Sequence, residues 1–265
     1  YSLPLLVGGL AGTANEFIDR QLIKYLVPAG AMAQLGVYGA ITKIAVVMML
    51  FYQMYRLAAE PFFLSNFRKS DFVRMNAAAL KYYVMASMLI FLGIALFRDF
   101  FALIVGRDFR EGIHILPVVL GANVLTGVWL NLSFWYKREE RTPLAIVVTG
   151  SGLAAMLLFG FWFIPLWGYF GAAWARLASE SVMVAVSWWL NRRFFPTPYE
   201  WGRIGEFVVV ALGVFFVAES FAARVGNMFA GYAFNIVLFA GYSAYLVRRE
   251  HIDVGALVRA ALRKK

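Results

Sequence analysis

Residues 143–164, PLAIVVTGSGLAAMLLFGFWFI, contain no charged side chain and no turn sequence. A helix of that length crosses the roughly 30 Å hydrocarbon core of a bilayer, which needs about 20 mostly apolar residues. The same reading extends outward in both directions. Runs of this kind cover approximately residues 3–28, 35–65, 75–97, 113–135, 143–164, 169–190, 204–222 and 228–247. The expected fold class is therefore all-α, a polytopic membrane helix bundle with about eight transmembrane helices. The second run is long enough to require tilt or an extension beyond the lipid. Composition agrees, because 62% of the 265 residues are apolar and only 15% are charged. A soluble domain is roughly half apolar and a quarter charged.

The net charge of +10 does not indicate nucleic acid, since the basic residues fall between apolar segments and form no continuous patch. Alternate loops separate by charge. One set holds Arg68, Lys69 and Arg74, then Lys137, Arg138 and Arg141, then Arg192, Arg193 and Arg203, and finally the basic tail from Arg248 to Lys265. The other set holds Arg98, Arg107, Arg110 and Arg224. Positively charged loops stay on the cytoplasmic side, so the start of the first helix and the C-terminus are expected there. The tail DVGALVRAALRKK sets Val254, Leu257, Val258 and Leu262 on one helical face, the pattern of an interfacial helix on anionic lipid. The chain opens directly into apolar sequence without an initiator Met or a basic leader, which reads as N-terminal truncation.

Charges inside spans cost about 2.5–3.5 kcal/mol each on insertion scales and mark functional candidates. Glu16, Arg20 and Lys24 form one stripe of the first helix, with Asn15 and Asp19 beside it; Gln53, Arg56 and Glu60 share a face of the second. Glu16 with Arg20 and Arg56 with Glu60 are i, i+4 pairs able to neutralise each other. Lys43 has no acidic residue three or four positions away, so self-pairing cannot explain it. Arg20, Lys43 and Arg56 are accordingly the expected anionic headgroup site, with Glu16, Asp19 and Glu60 the possible ion-coupling groups. Arg176 and Glu180 repeat the i, i+4 spacing, and Asn123, Thr126, Asn131 and Ser133 add polar groups to the fourth span; both sets read as helix packing. No metal site, cofactor cradle or catalytic constellation is expected. His114 and His251 are far apart and there is no Cys. An enzyme acting through carboxylates is a minority reading.

The succession LPLLVGGLAGTANEFIDRQLIKYLVP, LGVYGAITKIAVVMMLFYQMYRLAAEPFF, NLSFWYK, IPLWGYFGAAWA and FPTPYEW resembles the polysaccharide biosynthesis proteins of Gram-negative bacteria. These are the O-antigen type lipid-linked oligosaccharide flippases, relatives of multidrug and toxin extrusion transporters. The resemblance implies a MATE-like C-terminal lobe at residues 1–192, two additional transmembrane helices at 193–250 and a cytoplasmic tail at 251–265, with an N-terminal lobe missing from the chain. It further implies transport of a polyprenyl-pyrophosphate-linked oligosaccharide across the bacterial inner membrane. The stretch before Ile164-Pro165 lacks the Asn common in relatives. The alternatives are a cation-coupled multidrug exporter, whose cavity would be anionic or aromatic, and a non-transporting scaffold of glycan assembly.

Overall fold

The computed structural model describes Ala14, Asn15 and residues 17–225 and 228–251. All regular structure among them is helical. Helix α1 covers 17–26, continuing from Ala14 and Asn15. It is followed by α2 (Ala31–Ile44), α3 (Val46–Asn66), α4 (Phe72–Ala95), the short α5 (Arg98–Ala102) and a 3-10 segment, Arg107–Ile115. Then come α6 (Leu116–Arg138), α7 (Pro143–Trp167), α8 (Tyr169–Phe194), α9 (Trp201–Val225) and α10 (Met228–Arg249).

Five of these helices are long and apolar enough to cross a membrane, and six if the bent pair α2–α3 is one span. That is fewer than the eight expected, and two physical causes can be named. Helix α8 has the length but carries Arg176 and Glu180 mid-way and Arg192 and Arg193 near its end, so its composition falls short. Nearly half of the expected first span, Glu16 included, lies outside the described residues, as does the amphipathic tail beyond His251. The expected second span is not one straight helix. It breaks at Ala45 with a 51° bend, and Asn123 Nδ2 reaches the Ala45 carbonyl at 3.4 Å. Irregular backbone at membrane depth is tolerated where neighbouring groups satisfy it.

Local sequence explains several boundaries. Pro143 starts α7 and Pro117 lies in the first turn of α6, where a missing N–H costs nothing. Gly168, at φ 57° and ψ −132°, turns α7 back along α8. Gly152 and Gly171 let that hairpin close: a Cβ at the first would strike Met183, and at the second the Phe163 carbonyl. Leu158, Phe161, Trp162 and Leu166 of α7 remain exposed, as do Phe229 and Val237 of α10. Such apolar surface is stable in lipid and a liability in water.

Helices α9 and α10 pack on each other and on α4. At one end, Lys81 Nζ lies 2.8 Å from Glu250 and 3.2 Å from Glu200, while Arg203 Nη1 donates to Glu250 at 2.9 Å. Burial raises the proton affinity of the Glu250 carboxyl, but the bonds from Lys81 and Arg203 outweigh it and hold the pKa below its ordinary value. At the other end, Arg98 pairs with Glu219 at 2.9 Å and Asn235 donates to the Leu96 carbonyl.

Candidate functional site

Asp19 is wholly buried where α1, α2 and α8 meet. Tyr38 Oη donates to its Oδ2 at 2.6 Å and Arg176 Nη1 to the same oxygen at 3.2 Å. One helical turn away, Ser179 Oγ donates to the Gly152 carbonyl at 2.8 Å and lies 3.1 Å from Asn15 Oδ1. Glu180, also buried, accepts from Trp129 Nε1 at 2.9 Å. These residues form a polar seam joining α1 and α2 to α6, α7 and α8. In a low-dielectric interior such a seam is stable only when its charges are matched.

Beside this seam opens a small cleft of about 60 Å³, lined by Phe17, Arg20, Thr42, Val46, Met49, Val119, Asn123 and Arg176. Two guanidinium-bearing side chains therefore border one cavity. Arg176 is fixed there by Asp19, whereas Arg20 is exposed and stands 5.9 Å from the Phe17 ring centroid. Planar guanidinium groups suit phosphate oxygens because they can donate two parallel hydrogen bonds.

The other expected headgroup residues are elsewhere. Lys43 lines a separate groove between α2 and the 101–109 segment. Arg56 is half exposed and pairs with Glu60 at 3.5 Å, the i, i+4 arrangement its spacing allows. Glu60 also receives Lys137 at 2.9 Å, so this expected coupling group is held between two cations. Nearby, Asn131 Nδ2 donates to Tyr55 Oη at 2.6 Å. Arg20 and Lys43 thus line different clefts among the described residues, and Arg56 lines neither of the two. Glu16, the remaining coupling candidate, lies outside the described residues.

Sequence reasoning did not find the roles of Tyr38 and Arg176. The i, i+4 spacing sets Glu180 within electrostatic reach of Arg176, but it does not reveal that Arg176 also reaches across to Asp19 or that Glu180 accepts from Trp129. A signal was present. Asp19 and Arg176 are opposite charges in separate apolar stretches, each costly without a partner.

Fold and site together define a helical protein of multi-pass membrane type with a buried polar seam, in which Arg176 pairs with Asp19, beside a cleft bordered by two arginines. Comparison with protein-family models, curated proteins and solved structures finds no match to the chain.

Proposed function

We propose that the chain is the helical lobe of a flippase that moves polyprenyl-pyrophosphate-linked oligosaccharide across the bacterial inner membrane for surface polysaccharide synthesis, with its C-terminus cytoplasmic. The observation that carries this reading is the cleft bordered by Arg20 and Arg176 beside the buried seam of the bundle. Its chemistry is that of an anion receptor. Export of cationic drugs is less well supported, because the nearest described carboxylate, Asp19, is already engaged by Tyr38 and Arg176.

Arg20 is the residue to test, since its exposed guanidinium takes part in no ion pair among the described residues, while Arg176 is structural as well. In proteoliposomes carrying the complete protein, Arg20→Ala is expected to lower flipping of lipid-linked oligosaccharide tenfold or more, and Arg20→Lys to keep part of it. Unchanged flipping by Arg20→Ala at equal protein abundance would remove the cleft from the transport path. Efflux of a cationic dye without oligosaccharide movement would favour the drug-export reading.

A further inference from the structure

Lys43 stands apart from the cleft just described, in surroundings that point to a different ligand. It borders a groove of about 570 Å³ whose other lining residues include Leu35, Ile44, Val47, Phe101 and Ile104. No carboxylate is among the lining residues, and Lys43 is exposed and takes part in no ion pair among the described residues. An ammonium within an apolar span needs an anionic partner or a route to water.

The strip of α2 preceding Lys43 leaves room for such a partner. Gly36, Gly39 and Ala40 lie seven, four and three residues before it, hence on the same helical face. Helical side chains lean toward the N-terminus of their helix, so this strip is where the lysine stem runs. At Gly39 a Cβ would meet nothing within 4 Å, which leaves the furrow open beside Lys43, whereas at Gly36 the Phe109 ring would lie 3.0 Å from a Cβ and covers the strip. Lys43 is twelve residues beyond Ala31, about 18 Å along the axis, so the groove beside Gly39 and Lys43 lies well within the bundle wall. The groove volume falls in the range of ligand pockets, about 300–1,000 Å³.

We infer that this groove is a binding site for an anionic glycerophospholipid, with an acyl chain against Phe101, Ile104 and Val47 and the phosphate drawn to Lys43. The positive charge has no acidic companion in the groove, so a net-negative headgroup is matched and a zwitterionic one leaves its own cation unpaired. This site is distinct from the transport cleft. It stands whether or not the chain is a flippase.

Native mass spectrometry of the purified full protein, titrated with phosphatidylglycerol or phosphatidylcholine of identical acyl chains, tests it. The wild type is expected to retain phosphatidylglycerol preferentially. Lys43→Gln should cut that retention about fivefold, the factor carried by one basic residue near an anionic headgroup, and leave phosphatidylcholine unchanged. Lys43→Arg should preserve the preference, and Gly39→Leu should lower retention of both lipids by filling the furrow. Oligosaccharide flipping should persist in Lys43→Gln. Equal retention of the two lipids by the wild type, or undiminished phosphatidylglycerol on Lys43→Gln, would overturn the site. So would displacement of phosphatidylglycerol by the lipid-linked oligosaccharide together with loss of flipping in Lys43→Gln, which would assign the groove to the transported molecule.

Discussion

At the scale of single residues, Asp19 is the junction of the seam, accepting from a phenol and a guanidinium on two other helices. Breaking a buried ion pair by removing one partner costs about 3–5 kcal/mol, because the remaining charge stays desolvated. Losing one hydrogen bond to a charged group costs about 1.5–3 kcal/mol. Asp19→Asn is therefore expected to lower the thermal midpoint in detergent more than Tyr38→Phe, followed by tryptophan fluorescence. The paired change Asp19→Leu with Arg176→Met should recover much of the lost stability, since well-packed apolar residues often replace a buried pair without penalty. If the pair serves transport as well as packing, that double variant stays folded and inactive. Full flipping by it would make the pair purely structural and place ion coupling elsewhere.

At the scale of elements, the α7–α8 hairpin depends on one backbone geometry. Gly168 occupies a positive-φ region that residues with a Cβ avoid, at a cost of order 1–3 kcal/mol. A Cβ there would also strike the Gln34 side chain, whose Oε1 accepts from the Tyr169 N–H at 3.0 Å and so caps the start of α8. Gly168→Ala should speed hydrogen exchange at the first amides of α8 and lower the thermal midpoint, whereas Gly150→Ala, in open space, should be neutral or mildly stabilising. Equal behaviour of the two variants would mean that the hairpin tolerates another turn. The turn itself was legible in the interruption between the apolar runs 143–164 and 169–190, where Pro165 and Gly168 punctuate the chain visibly. The break at Ala45 was not. An apolar run has the same composition straight or bent, and the side chain that reaches the bend, Asn123, is distant in sequence. Likewise Arg56–Glu60 was readable because its spacing is local, while Asp19–Arg176 required knowing which helices touch.

At the scale of the whole molecule, the alternation of basic and neutral loops corresponds to two ends of the bundle. Arg138 lies over the rings of Phe72 and Phe195 at 4.8 and 5.4 Å, and Arg141 over Phe194 at 5.3 Å, which gathers the 67–72, 139–142 and 195–200 connections at one end. The Gln34–Tyr169 and Arg98–Glu219 bonds join connections that the helix directions place at the other. Lys and Arg concentrate at the first end, and each is worth about 1 kcal/mol near an anionic leaflet, so their sum sets the orientation far more firmly than any one loop could. The absence of cysteine allows a direct measurement with single replacements at Ala29 and Glu139, both in exposed connections. An impermeant maleimide added outside intact spheroplasts should label Ala29→Cys and spare Glu139→Cys, and inverted membrane vesicles should reverse the pattern. Labelling of both from one side would contradict the separation of the two ends, since these positions are divided by an odd number of crossings when α2–α3 counts as one span. Reversal of the expected sides would leave the bundle intact but move the basic end to the opposite leaflet.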